Sequence, residues 1–340
     1  MSFARCPGKL MIAGEYSVLR PGGAALALAV DAPLEVSATP GDADRVTSEA
    51  LGLTDVALGG DSRLSFIAEA LAVARRVAPV PPLTLDVAGR AGQVDGRESK
   101  LGFGSSAAVT VATIGAALAG RAPLNRDRLF RLAALAHANA QGRAGSGYDV
   151  ATQVLGGVVL YRPPAASRWA AAPDALGPWL DVPWPEHCVE RLPWPEGLFL
   201  TACWVGQGAS TRGMMCAARS EAEEHLDAMA SRTRDVIRAW REGRVAQILP
   251  ALDAAEDALR RWDAASGTGA VTSAVRDAVD LARAAGCAGR TSGAGGGDCV
   301  LAFASEEGHL DAARGAWSAA GLHPITITPD WTGAAWSPTP

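Results

Sequence analysis

The sequence predicts an α+β fold built as more than one unit, on three observations. At 340 residues the chain is longer than one small core accommodates, so two domains are expected. Short apolar runs closed by glycines mix with amphipathic helical patterns, without the regular strand–helix alternation of a doubly wound sheet. A proline- and tryptophan-rich stretch separates two such regions. The expected organisation is therefore residues 1–165 as an N-terminal domain, 166–197 as a connecting segment and 198–340 as a C-terminal domain.

In chain order, KLMIAG (9–14), AALALAVD (24–31), PLEVSAT (33–39) and LTLDV (83–87) read as strands, the last two by alternation. Residues 62–78, 105–119 and 127–140 carry helical spacing, and VVLYR (158–162) reads as a strand. Between Arg162 and Pro195 fall eight prolines and four tryptophans, which forbids long helices and central strands and leaves room only for edge strands. The second half begins with a strand, LFLTACWVG (198–206), followed by helical patterns near 217–241, 244–263 and 270–285. CVLAFA (299–304), a helix around 306–320 and HPITITP (323–329) complete the series.

Composition excludes several classes. A formal charge of −5 offers no basic excess for nucleic acid or an acidic membrane. Six cysteines include no CxxC pair, and a chain of this size needs no disulfide staples, so reduced thiols in a cytoplasmic protein are expected. MSFARCPGKL lacks the apolar core of a secretion signal. The uncharged stretch LGFGSSAAVTVATIGAALAG is long enough to span a bilayer, but its small and hydroxylated residues predict a buried helix instead.

Only two of the 31 basic residues, Lys9 and Lys100, are lysine. Where arginine serves almost everywhere, these mark places that require a compact ammonium. Both adjoin glycine-rich turns. KLGFGSSAAVT (100–110) runs a glycine turn into a helix, where close backbone approach and unpaired N–H groups suit a phosphate. Lys100, Gly102, Gly104, Ser105, Ser106 and Ala107 are its candidate ligands, the Ser106 hydroxyl also for Mg²⁺. It is no Walker loop, since Gly8-Lys9 is followed by Leu10, and no dinucleotide fingerprint, since the polar GQVDGRES precedes it where a strand is required. PGKLMIAGEY (7–16) and SGAGGGDC (292–299) are the second and third clusters, and QGRAGSGYD (141–149) presents Asp149 after a small-residue turn.

These four segments, in this order over residues 5–304, resemble the GHMP kinase superfamily. AGEY, QGRAGSGYD, the Asp298 of SGAGGGDC and WVGQGAST (204–211) resemble its phosphomevalonate kinase branch, with Val205 and Gly208 as departures. The resemblance implies an N-terminal ATP-binding domain like domain 2 of ribosomal protein S5, a ferredoxin-like C-terminal domain and an active site between them. It also implies ATP, Mg²⁺ and phosphorylation of (R)-5-phosphomevalonate to the 5-diphosphate in isoprenoid synthesis, by a monomer or homodimer. Lys9 and Asp149 are then the catalytic pair. Glu15, Tyr16, Ser146 and the turn Ser292, Gly293, Ala294 and Gly295 face the mevalonate end, and Ser210 and Thr211 its phosphate. Mevalonate kinases, the nearest alternative, carry a glutamate about ten residues before the catalytic aspartate; here no acidic residue stands from Arg128 to Tyr148.

Overall fold

A computed structural model describes the chain except residues 90, 91, 95, 96, 100, 144, 165–175, 185, 207–221, 339 and 340. The first half comprises β1 (Ser2–Ala13), β2 (Ala25–Pro40), β3 (Arg45–Ser48), β4 (Leu53–Ala57), α1 (Ser65–Arg75) and β5 (Leu83–Gly89). A small hairpin, β6 (Gly92–Val94) and β7 (Arg97–Ser99), leads to α2 (Ser105–Leu118), α3 (Arg126–Ala140), α4 (Tyr148–Leu155) and β8 (Val158–Arg162). Then come α5 (Gly177–Asp181), β9 (Cys188–Leu192), β10 (Phe199–Trp204), α6 (Glu223–Arg241), α7 (Val245–Ser266), α8 (Ser273–Ala284) and β11 (Ala288–Ser292). β12 (Cys299–Ala304), α9 (Glu307–Ala319), β13 (His323–Ile325) and β14 (Ala335–Pro338) end the chain.

The first sheet runs β14-β1-β2-β5-β3-β4, with β8 and β9 joined on at β2. Two segments that the sequence separates, 24–31 and 33–39, form one long strand. Near its start β2 pairs with β8, and beyond Leu34 with β5. Pro33 is accommodated because the register against β1 slips between Cys6 and Gly8, so its missing N–H breaks no ladder. In AALALAVD, Ala25 enters the core under α1–α4, whereas Leu26, Leu28 and Val30 enter a second core on the opposite face. A sheet covered on both faces explains why this segment is apolar throughout.

That second core is shared with the smaller sheet, β11-β12-β10-β13, through Leu301 and Phe303, and with Trp240 of α6, so the two halves pack directly on one another. Its far face is covered by α8 and α9 around Val279, Ala313 and Trp317. β9, inside the proline-rich connection, is an edge strand antiparallel to β8. β14 pairs with β1, so the chain's last strand belongs to the first sheet and a boundary at 198 does not divide the units cleanly. α2, the stretch of bilayer length, is a 14-residue helix buried from Ala107 to Leu118 except Val109. Among the described residues no helix is long and apolar enough to cross a membrane.

Candidate active site

A cavity of about 710 Å³, within the range of small-ligand sites, is lined by β1, β2 and β5 of the first sheet, by α1, α2 and α4, and by the turn between β11 and β12. Lys9 enters it from the centre of β1, between the register slips at Cys6/Gly8 and Met11/Ala13. Its Nζ donates to the Gly102 carbonyl at 3.0 Å, and its backbone N–H donates to the Phe103 carbonyl at 2.9 Å. The lysine therefore holds the glycine turn 102–104 by main chain and side chain at once. Burial opposes its charge, but the Tyr148 hydroxyl, Asp149 and Asp298 around it prevail and raise its pKa above the ordinary lysine value.

The turn requires its glycines. Gly102 and Gly104 have φ of 76° and 78°, conformations that side chains resist. A Cβ on Gly102 would stand 2.5 Å from the Asp298 carboxyl carbon, and one on Gly104 2.9 Å from Lys9 Cε. Gly104 also opens α2, whose N-terminus no side chain caps, so the N–H groups of its first turn remain available. Ser105 and Ser106 line the cavity, whereas the Ala107 side chain points into the core and leaves only its N–H for a ligand.

Asp149 lies in the first turn of α4, where its Oδ1 accepts from the Val150 N–H at 2.9 Å. The sequence reading does not foresee α4, because the glycines before it look like an extended loop; Gly147, with φ of 87°, is its N-cap. Ser146 precedes it, 9% exposed, its carbonyl accepting from the Tyr161 hydroxyl.

The opposite end of the cavity is set by Glu15 and Tyr16. Glu15 is buried, and its Oε2 accepts from the Gly14 N–H at 3.1 Å and from Arg290 at 2.6 Å. Among the described residues its Oε1 has no hydrogen-bond partner. Burial raises the Glu15 pKa more than Arg290 lowers it. Arg290 is wholly buried in β11 and also donates to Glu256 at 3.2 Å and to the Ile12 carbonyl at 3.2 Å, tying β1 to α7. Tyr16, at φ 54°, stacks on Trp262 with ring centroids 4.1 Å apart and donates its hydroxyl to the Ala294 carbonyl.

The third turn divides. Gly293 and Ala294 line the cavity, and a Cβ on Gly293 would stand 3.8 Å from Lys9 Nζ. Ser292 does not line it: its hydroxyl donates to the Met11 carbonyl at 3.1 Å and accepts from the Met11 N–H at 3.0 Å. Gly295 also stands back, packed so closely on Ala270 that a Cβ would lie 2.2 Å from its carbonyl oxygen. Lys100, Ser210 and Thr211 lie outside the described residues.

Four further residues belong to the site. The Tyr148 hydroxyl and Asp298 both reinforce the Lys9 charge. Arg290 neutralises Glu15, and His137 places Nε2 3.2 Å from Ser106 Oγ. Tyr148 and Asp298 lie within segments already singled out, 141–149 and 292–299. His137 and Arg290 carry no motif; one lies on an apolar helix, the other in the short polar-looking strand AGRTS.

The family model described as GHMP kinases N terminal domain matches residues 66–157, and that described as GHMP kinases C terminal matches residues 248–323. The chain is 33% identical over 367 residues to the phosphomevalonate kinase of Streptomyces sp. (strain CL190), covering 95% of this chain and 96% of that protein. Among solved structures, it is similar to Streptococcus pneumoniae phosphomevalonate kinase in complex with phosphomevalonate and AMPPNP, at TM-score 0.85, 23% identity and 97% and 99% coverage of the two chains. It is also similar to Methanococcus jannaschii mevalonate kinase, at TM-score 0.70, 15% identity and 96% and 98% coverage. The two structures speak for the fold, and the Streptomyces relative, matched over nearly its full length, speaks for the branch. With the Lys9 turn, the start of α2 and the third glycine turn around one cavity, the chain belongs to the GHMP kinase superfamily, in its phosphomevalonate kinase branch.

Proposed function

We propose that this chain transfers the terminal phosphoryl group of ATP to the phosphate of (R)-5-phosphomevalonate, giving ADP and (R)-5-diphosphomevalonate, as a cytoplasmic step of isoprenoid synthesis. One observation carries the reading: Lys9 Nζ stands where the phosphate turn, the Tyr148–Asp149 helix start and the Gly293 turn converge. Phosphoryl transfer depends on positioning and charge neutralisation, and a compact ammonium between donor and acceptor supplies both. In this reading the N–H groups of Ser105, Ser106 and Ala107 receive the ATP phosphates at the start of α2, and Lys100 is assigned to the same phosphates.

Magnesium takes hard oxygen ligands and keeps water and substrate phosphates in its shell. The donors here fit that habit: Ser106 and Asp149 offer oxygens to the cavity, and among the described residues no group of three or more His, Cys, Asp or Glu forms a metal cage. Ser106 would hold Mg²⁺ with the nucleotide phosphates, and Mg²⁺ supplies charge neutralisation when bound. Asp149 and Asp298 keep Lys9 charged and directed. The acceptor carries a carboxylate, a phosphate and a tertiary hydroxyl, of which only the hydroxyl donates a hydrogen at neutral pH. Glu15, which lines that end of the cavity, is assigned to that hydroxyl. Tyr16, Ser146, Gly293 and Ala294 shape the same end, Ser292 and Gly295 brace it from behind, and Ser210 and Thr211 are assigned to the acceptor phosphate.

The test is turnover of 5-phosphomevalonate or mevalonate with MgATP, followed by ³¹P NMR. Diphosphate resonances from phosphomevalonate and no product from mevalonate are expected. Preferential turnover of mevalonate would reassign the chain as a mevalonate kinase, and binding without ADP release would make it a regulator.

A further inference from the structure

His137 is buried on α3 and does not itself line the cavity, yet its Nε2 is the meeting point of residues that do. Ser106 Oγ lies 3.2 Å from it, the Gln141 amide nitrogen 3.4 Å, and Asp149 Oδ2 3.8 Å. The ring stacks on Phe66 at 5.2 Å between centroids, which fixes the plane in which Nε2 points. An imidazole nitrogen that carries no hydrogen has one lone pair, and Ser106 Oγ at 3.2 Å is nearer to it than the Gln141 amide at 3.4 Å. Asp149 is beyond hydrogen-bond reach of it, and its Oδ1 is already engaged by the Val150 N–H. With the ring hydrogen on Nδ1, the Ser106 hydroxyl, able to donate or accept, donates to Nε2. Its oxygen keeps both lone pairs for the cavity.

We propose that His137 is a positioning residue for phosphoryl transfer: by accepting the Ser106 hydrogen it turns the Ser106 oxygen towards the magnesium-bound phosphates of the nucleotide. This rests on the assignment of Ser106 as a metal-facing hydroxyl. A hydroxyl free to rotate would spend part of its time presenting its hydrogen to the cation, so the imidazole removes the wrong orientation before the nucleotide arrives. Glutamine can place an amide oxygen where Nε2 stands and accept the same hydrogen; leucine fills the space and accepts nothing.

The tautomer is checked first, on the unaltered protein, by long-range ¹H–¹⁵N correlation of the imidazoles, with His137→Gln identifying the resonance. An unprotonated Nε2 with hydrogen on Nδ1 is expected, and hydrogen on Nε2 would overturn the proposal. The second measurement is Mn²⁺ affinity of the protein–AMPPNP complex by electron paramagnetic resonance, with thermal melting alongside. His137→Leu is expected to weaken Mn²⁺ by about tenfold or more, and His137→Gln to restore affinity to within about threefold of the unaltered protein. In Ser106→Ala, adding His137→Leu is expected to change nothing further. Independent, multiplying effects would overturn the role of His137 while leaving Ser106 a ligand. Unchanged Mn²⁺ affinity in Ser106→Ala would instead overturn the assignment of Ser106, and the proposal with it.

Discussion

Replacing Arg290 by methionine tests whether the buried charge network holds the two halves of the site together. The guanidinium is inaccessible and reaches Glu15, Glu256 and the Ile12 carbonyl from one position. Glu256 survives its loss well, because Thr291 N–H and hydroxyl donate to it at 2.8 and 3.0 Å and Arg260 stands 3.5 Å away. Glu15 keeps only the Gly14 N–H, with Oε1 unpartnered, and becomes a buried carboxylate without a counter-ion. Removing one partner of such a pair costs about 3–5 kcal/mol, a large share of the ~5–15 kcal/mol that holds a domain folded. Protonating Glu15 relieves the cost. Its folded pKa is already raised above the ordinary 4.5 by burial, and losing the cation raises it further. A raised carboxyl contributes its stability fully below the unfolded pKa and loses it as pH rises through the folded pKa. The deficit of Arg290→Met is therefore largest at neutral pH and shrinks as pH falls towards the ordinary carboxylate range. Urea unfolding of both proteins at a series of pH values measures it. A deficit under about 1 kcal/mol, or one that does not change with pH, would refute the claim that Glu15 is held as a charged, compensated group.

Lys9→Met is expected to lower kcat by about a hundredfold or more with little change in the KM for ATP, and Lys9→Arg to fail as well, because a planar fork does not fit beside Gly104; steady-state kinetics decide. Ser106→Ala is expected to raise the Mg²⁺ requirement and weaken MgATP by ~1–3 kcal/mol without lowering the melting temperature, as shown by calorimetric titration and thermal melting. Gly104→Ala costs about 1–2 kcal/mol in backbone strain at φ 78° and pushes a methyl onto Lys9 Cε, so both stability and kcat should fall. Asp149→Asn is expected to lower kcat at every pH; a log-linear rise to the unaltered rate at alkaline pH would show instead that a base had been removed.

The sequence made the strands and helices with strong periodicity readable, and it made the glycine turns readable because positive φ and close approach demand a residue without a side chain. β11 stayed hidden because AGRTS carries no apolar alternation; its arginine is buried by compensation from Glu15 and Glu256, residues distant along the chain. β9 and β14 are short strands whose pairing is decided by the sheet and not by their own residues. The site shows the same division. Lys9, Gly102, Gly104 and Asp149 stand out locally, whereas Ser292 and Gly295 share the motif's chemistry and yet serve the scaffold. Nothing in a serine's neighbours along the chain tells whether its hydroxyl meets a ligand or a backbone 281 residues away.

The charges around Lys9 bear on what Asp149 contributes. Two carboxylates and a phenol surround one ammonium, in a cavity proposed to receive two further anions. A carboxylate is a costly companion for an incoming phosphate unless it repays that repulsion through the lysine. A hydroxyl acceptor would give Asp149 a proton to remove. A phosphate monoester, with a second pKa of about 6, arrives at neutral pH with its attacking oxygen already ionised, and a base has little left to do. What the site needs is an ammonium kept protonated despite burial and kept in place between donor and acceptor. Asp149 and Asp298 both act on Lys9 in that sense, and Gly102 fixes it from the other side through its carbonyl. The residue that looks like a general base in the sequence is therefore best understood as part of the lysine's setting, and the phosphate acceptor is what allows it to be so.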